Sequence, residues 1–407
     1  MTPRRGTPDE PAAAQSGGRW RSDDDNDRER LTVTSAVDSA GRNDIGGAGG
    51  PARYVVAGNG WRAGFYLRLA KIFPERLQVT AIVTPTAELG LAAERQWGLP
   101  SVRTIKDAIT SDRPDFVVAA VPWSATPQVI RDAVATDMPV LTETPPAADL
   151  PSLLELWSQV GGSGLVQVAE QYLLYPGHAA RIQLIKNGLL GSVSNVQVAS
   201  THQYHAIALM RTMLGVGFED ADVTAHHSEF PLANPISRDG WTKDLTPLPA
   251  WNLLSHFDFG DGRTGLYDFT DNQWHNELRS NRILIRGSLG ELVTDHVVHV
   301  RDELTVLESD LVRRQLGIDM NFEGFDLDHI TFEGDVVYRN AWRGGRLADD
   351  EIAVASVLER MGVWVHDGGP APYPLADGCQ DHMLALAMDE SLAAGATVRT
   401  TRQPWAS

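Results

Sequence analysis

Cysteine is almost missing from this sequence, with Cys379 the single example among 407 residues. An intrachain disulfide and a cysteine zinc cluster are thereby excluded, which agrees with a reducing compartment, and Cys379 is expected to be structural. Long apolar runs are missing as well. No stretch of about 18 apolar residues occurs, so a membrane span is not expected. Positive charge is short: 35 Lys and Arg stand against 53 Asp and Glu, a formal net charge of -18. Such a surface repels nucleic acid and anionic lipid, which leaves small molecules as the partners to consider. The opening Met1-Thr2-Pro3-Arg4-Arg5 has no apolar stretch behind its arginines. It therefore lacks the central region of a secretory signal, and a cytoplasmic location is expected. No internal repeat is visible.

What is present divides into three parts. Residues 1–50 are rich in Gly, Ala, Ser, Pro and Asp with scattered apolar residues. They cannot bury enough surface to offset the entropy of ordering, and are expected to form a disordered tail outside the fold. From Tyr54 the pattern becomes regular. A short apolar run, Tyr54 to Ala57, leads through glycines to a segment with Phe65, Leu69, Ile72 and Phe73 at helical spacing. The runs Val79 to Val83, Phe116 to Val121, Val140 to Thr142 and Leu165 to Val168 are continuous and apolar, as buried parallel strands are. Helical segments around Glu88 to Trp97, Ile105 to Thr110 and Pro127 to Ala135 separate them, with a short strand near Ser101 to Arg103. This alternation predicts an α/β fold: a doubly wound parallel sheet of the Rossmann type over residues 51–172.

The texture then changes. After a helix from Gly177 to Asn187, the strand-like segments Val193 to Ala199, Trp251 to Phe259, Thr264 to Thr270 and Arg282 to Arg286 follow with few helices between them. Asp261-Gly262 sits where a hairpin turn belongs. Residues 173–407 are therefore expected to form an α+β domain with a largely antiparallel sheet, closed by a helix from Leu375 to Ala393. One face of that sheet needs cover, so a homo-oligomer is expected.

Gly58-Asn59-Gly60-Trp61-Arg62-Ala63 lies between the first strand and the first helix and matches a dinucleotide fingerprint, with Ala63 in the third small position. Gly58 permits the tight turn, and Gly60 lets the backbone approach a pyrophosphate at the helix start. The second strand ends Ile82-Val83-Thr84-Pro85 and lacks the acidic residue that would hold the ribose of NAD. Thr84 could contact a ribose hydroxyl or a 2'-phosphate, and Arg62 could assist with the phosphate or be solvated. NADP is slightly favoured over NAD.

In the order of its motifs the chain resembles the glucose-fructose oxidoreductase and inositol dehydrogenase family, Gfo/Idh/MocA. The resemblance covers nearly everything after residue 50. It rests on the glycine segment, on Val118-Ala119-Ala120-Val121-Pro122, on Val140-Leu141-Thr142-Glu143-Thr144-Pro145, on Ala169-Glu170-Gln171-Tyr172, on His205 to Gly215, and on Ile285 to Gly290. It implies NAD(P)-linked oxidation or reduction of a sugar, polyol or related carbonyl compound, by dimers or tetramers built through the open face of the second sheet. The chain departs from the family at three positions. The family's Glu-Lys-Pro tripeptide reads Glu143-Thr144-Pro145 here, and a threonine cannot replace a lysine as acid or as electrostatic clamp. The two aspartates that flank the family histidine are Thr201 and Ala208, while the histidine remains as His205. The connection before it is shorter than usual, and part of the substrate loop is missing.

His205 is accordingly the candidate proton carrier, against the alternative of a helix-start residue bonded to backbone. Tyr204 and His202 lie close by, as donors to a carbonyl oxygen or as surface residues. Tyr172, after a strand with Glu170 and Gln171, is a candidate for the catalytic pocket. Glu143 is placed to meet the nicotinamide end of a cofactor or to order a loop, and Pro122 and Trp123 follow the fourth strand where a cofactor passes. His226-His227 with Glu229 makes a poor metal site because neighbours on a strand point to opposite faces, and no metal is expected. Asp381-His382 is expected to cap or pack. Trp241 and Trp251 are expected in the core or an interface. The residues thus point to an NAD(P)-dependent oxidoreductase. The alternatives are a catalytically inactive dinucleotide-binding or regulatory protein of the same fold, and a lyase with tightly held NAD.

Overall fold

A computed structural model describes residues 50–237, 240–317 and 324–406. The expected tail, residues 1–50, lies outside the described residues apart from Gly50. The first layer is built from β1 (Ala52–Ala57), α1 (Ala63–Ile72), β2 (Leu77–Val83), α2 (Ala87–Trp97), β3 (Ser101–Val102), α3 (Ile105–Ser111), β4 (Phe116–Ala119), α4 (Thr126–Val134), β5 (Val140–Thr142), α5 (Leu150–Val160) and β6 (Val166–Val168). The six strands are all parallel, in the order β3-β2-β1-β4-β5-β6. That is the doubly wound order, with its switch point between β1 and β4. Every residue of β4, β5 and β6 is buried, which is why these runs read as unbroken apolar segments. Side chains of Thr86, Thr104 and Asp149 cap α2, α3 and α5 by accepting backbone N–H bonds.

The second layer begins with α6 (Pro176–Lys186), β7 (Val193–Ala199), α7 (Gln203–Leu214), β8 (Asp222–Leu232), β9 (Ile236–Ser237), β10 (Gly240–Trp241), β11 (Leu248–Asp258) and β12 (Thr264–Thr270). It continues with β13 (Arg282–Gly287), β14 (Gly290–Val293), β15 (His296–Asp302), β16 (Thr305–Asp310), β17 (Val312–Leu316), β18 (Asp326–Phe332) and β19 (Asp335–Arg339). α8 (Asp349–Asp367), α9 (Leu375–Ala394) and β20 (Val398–Arg399) complete it. Nine strands form one sheet in the order β16-β15-β14-β13-β7-β12-β11-β8-β20, and β17-β18-β19 form a separate antiparallel sheet. The large sheet is antiparallel except where β12 runs parallel to β7. That pairing is possible because the chain travels through α7, β8 and β11 before returning. Asp261-Gly262 makes the turn between β11 and β12, as expected, with Asp261 at φ +52° and Gly262 at φ +73°.

One face of the large sheet packs on α7 and α9. The two helices are joined by a buried cluster: Arg211 on α7 bonds Asp381 at 2.6 Å and Asp377 at 3.0 Å on α9, and the Gly217 carbonyl at 2.7 Å. Asp381 therefore serves packing, and Cys379 is buried on the same helix. His382 bonds the Ala148 carbonyl. Two helices were not foreseen in the sequence, α5 and the 19-residue α8. Trp241 and Trp123 are more than half exposed, so neither belongs to the core, while Trp251 packs against the core from a half-buried position. No helix among the described residues is long and apolar enough to cross a membrane.

Candidate functional site

The site grows from the carboxyl ends of the parallel strands. Beyond β1 the Gly58 N–H donates to the Val83 carbonyl at 3.0 Å, which stitches the turn to the end of β2. Gly58 has φ +118°, and a Cβ there would lie 2.1 Å from the Ala120 carbonyl oxygen, so no other residue fits. Gly60 is different. Nothing lies within 4 Å of the place its Cβ would take, so the loop is open where α1 begins, and the first turn of α1 carries no acidic side chain. An open glycine beside a helix start without an opposing carboxylate fits the phosphates of a dinucleotide. Asn59 accepts a bond from Trp97 Nε1, Trp61 is exposed, and Ala63 is fully buried as the small third position requires.

Arg62 turns inward. Its Nε bonds Glu143 Oε1 at 2.7 Å and its Nη1 bonds Asp350 Oδ2 at 3.1 Å, while Tyr66 donates its hydroxyl to the same Glu143 oxygen. Burial alone would weaken the guanidinium, but Glu143, Tyr66 and Asp350 outweigh it and hold Arg62 charged. Neither a solvated Arg62 nor an Arg62 at the end of β2 is what the structure shows. Glu143 is thereby placed at the end of β5 in a half-buried ion pair. Two polar atoms here are buried with no hydrogen-bond partner among the described residues, Arg62 Nη2 and Gln171 Oε1. Orphaned buried groups are uncommon, and these two remain open to bonds from a ligand. Asp350 was missed in the sequence because α8 was missed. The signal was there: Asp349-Asp350-Glu351 opens a stretch with Ile352, Ala355, Leu358 and Met361 at helical spacing.

The second cluster lies at the start of α7. His205 Nδ1 is 2.6 Å from Glu170 Oε2, and both side chains are buried. The other Glu170 oxygen accepts the Tyr172 N–H at 3.0 Å, which fixes the carboxyl group. No hydrogen bond occupies His205 Nε2 among the described residues. Rings of Tyr172, Tyr204 and His202 surround it, with centroids 4.3, 4.6 and 5.1 Å from that of His205. Tyr204 is buried, which corrects its surface reading, and Thr144 hydrogen-bonds it from the cis Thr144-Pro145 turn. His205 is therefore bonded to a side chain rather than to backbone. Glu170, 35 residues earlier in the chain, supplies the carboxyl group that Thr201 and Ala208 do not. Burial pushes Glu170 up to about 8, and burial with the nearby Arg62 charge pushes His205 down to about 3. The dyad is thus a protonated carboxyl facing a neutral imidazole near neutral pH.

A cavity of about 270 Å³ adjoins this cluster through Tyr172 and is also lined by Tyr175, His178, Arg181, Ser200 and Asn281. Thr84 is buried at the end of β2 and receives a bond from Arg103. Pro122 and Trp123 form the turn after β4. His226 and His227 both lie exposed on β8, and no group of three or more potential metal ligands occurs among the described residues.

Residues 52–169 match the family model described as an oxidoreductase family with an NAD-binding Rossmann fold, Gfo/Idh/MocA. No curated protein matches the sequence. Solved structures share the fold over nearly their whole length. A levoglucosan dehydrogenase in complex with NADH and levoglucosan is 17% identical with a TM-score of 0.61, covering 86% of this chain and 99% of that one. A myo-inositol dehydrogenase from Corynebacterium glutamicum is 17% identical with a TM-score of 0.59, covering 87% and 100%. An NAD-binding oxidoreductase from Klebsiella pneumoniae is 14% identical with a TM-score of 0.63, covering 87% and 100%.

Proposed function

We propose that this chain, whose residues 52–169 match the Gfo/Idh/MocA oxidoreductase family model, is a cytoplasmic NAD(P)-dependent oxidoreductase acting on a hydroxyl or carbonyl group of a sugar-like or similar small compound, with His205 as the proton carrier. The observation that supports this reading is the buried Glu170–His205 pair, which leaves Nε2 free beside Tyr172 and Tyr204. The main chain of Gly58, Asn59, Gly60, Trp61, Arg62 and Ala63 would hold the dinucleotide phosphates, Thr84 the adenosine ribose, and Pro122, Trp123 and Glu143 the nicotinamide half. When bound, the nicotinamide supplies or accepts the hydride.

The chain's own residues handle the proton. In reduction, His205 Nε2 gives its proton to the carbonyl oxygen of the substrate as hydride arrives at carbon. The Glu170 carboxyl passes its proton to Nδ1 at the same time, so the imidazole stays neutral and the negative charge ends on Glu170. Oxidation runs the same transfers backwards. Tyr172 and Tyr204, whose hydroxyls burial keeps protonated, orient the substrate oxygen. The competing reading, a dinucleotide-binding protein without turnover, is favoured by Thr144 in the lysine's place. A panel of sugars and polyols assayed with both dinucleotides separates the two, since the binder turns over none of them.

The Gly60→Val variant tests the dinucleotide site. The added side chain has room to fold but fills the open face of the loop. Calorimetry is expected to show NAD(H) and NADP(H) binding weakened by about tenfold or more, with an unchanged thermal midpoint. Parent-like affinity would remove the glycine loop from the site.

The uncovered face of the large sheet carries a cross-strand row of His256, Leu266, Gln197, Leu284, Val293 and His296. Leu266, Leu284 and Val293 are part-exposed there, a row that suits a second copy of the chain. Light scattering at micromolar concentration is expected to give a dimer or tetramer, and Leu284→Glu is expected to dissociate it. A strictly monomeric parent contradicts the assignment.

A further inference from the structure

The adenosine end of the cleft carries a cation that neither the glycine loop nor the strand pattern announces. Thr84 ends β2 next to the Gly58 turn, in the place where an acidic side chain would hold a ribose 2'-hydroxyl. Arg103, just past β3, lies across that strand end. Its Nη1 donates to the carbonyl of Thr84 at 3.1 Å, to the Thr84 hydroxyl and to the Thr86 carbonyl, and its Nη2 donates to Ser101 Oγ at 2.6 Å. One edge of the guanidinium is thus anchored to main chain. Its Nε and the second Nη2 hydrogen have no partner among the described residues, and the side chain is exposed. Room for the head group is made by Gly90 on α2, where a Cβ would come within 2.2 Å of Arg103 Nη2. Glu94, which feels the Arg103 charge, makes no ion pair with it and accepts the backbone N–H of Ser101 at 3.0 Å and its hydroxyl at 2.9 Å. Arg62, the other arginine near the loop, is committed to Glu143 and Asp350 and is not available at this end.

We infer that Arg103 is a specificity-determining residue that holds the 2'-phosphate of NADP(H), and that the protein prefers the phosphorylated dinucleotide. A planar fork anchored on one side and open on the other suits bidentate contact with phosphate oxygens. The missing carboxylate removes the repulsion that would exclude that phosphate. The inference rests on the reading of the fold as a dinucleotide site.

Calorimetric titration of the full chain with NADPH and with NADH, at one fixed ionic strength, tests it. The parent is expected to bind NADPH at least about tenfold tighter than NADH. Arg103→Gln keeps donors for the strand-end carbonyls but removes the charge. It is expected to weaken NADPH by about 10- to 100-fold and to leave NADH within about twofold. Arg103→Ala should behave in the same way if it folds, with the glutamine variant deciding if it does not. A parent that binds NADH as tightly as NADPH overturns the inference and leaves the dinucleotide reading standing. So does equal loss of both nucleotides in Arg103→Gln, which would make Arg103 a strut for the β2–β3 edge. A parent that binds neither nucleotide overturns the reading of the site and the inference with it.

Discussion

With asparagine at position 205, turnover on any substrate of the parent is expected to fall by about 10²- to 10⁴-fold while dinucleotide affinity is retained. Asparagine keeps some hydrogen bonding to Glu170 but cannot exchange a proton near neutral pH. Position 144 is threonine, so the lysine of the family tripeptide is not there to carry the proton. The pH dependence carries a second signature. Glu170, raised to about 8 by burial, must be protonated to relay in the direction of reduction. The reductive rate is therefore expected to fall as pH rises through about 8, and Glu170→Gln is expected to lose that limb together with most of the rate. The same group has a stability signature. A carboxyl raised from 4.5 in the unfolded chain to about 8 in the folded one stabilises fully below 4.5, and that contribution is lost as pH climbs to 8. The glutamine variant should lack that slope in urea unfolding. Unchanged turnover of His205→Asn across pH would remove His205 from the mechanism and move attention to Tyr172, Tyr204 and His202.

Arg211→Met is expected to destabilise the protein by about 3 to 5 kcal/mol, the usual cost of stripping one partner from a buried charge cluster. Arg211 is among the largest fully buried side chains, and its removal strands the carboxylates of Asp377 and Asp381 between α7 and α9. Methionine fills much of the same volume, so the loss reports on charge rather than on a void. Adding Asp381→Asn should return part of it, because one uncompensated charge then disappears. The urea midpoint is the measurement, and a loss under about 1 kcal/mol would mean that the carboxylates find other partners. Because α7 also carries His205, the variant is expected to lose activity at temperatures where it remains folded.

Part of the site was legible before any coordinates. The glycine turn was recognisable since Gly58 and Gly60 stand between an apolar strand and an amphipathic helix, and a backbone at φ +118° has no other residue to choose. The roles within the turn were harder. Arg62 was read as a phosphate ligand or a solvated residue, whereas it pairs with carboxylates 81 and 288 residues away. His205 was found through its place in a motif, but the partner that orients it was not, as nothing in the spacing of Glu170 and His205 says that a strand end and a helix start will meet. Arg103 was overlooked for the same reason, and Asp350 because the helix that carries it, α8, was not recognised.

The parallel order of the first layer, the turn at Asp261-Gly262, the glycine turn after β1 and the buried cysteine are properties that local pattern determines, since burial on both faces, positive φ and helical spacing act within a few residues of chain. The parallel pairing of β7 with β12, the α7–α9 charge cluster, the Glu170–His205 dyad and the arginine across the end of β2 were decided only by the tertiary structure. Each joins groups distant in sequence whose burial is tolerable only when they meet, and an unpaired charge or polar group costs too much to bury alone. Which pairs meet depends on how whole layers pack.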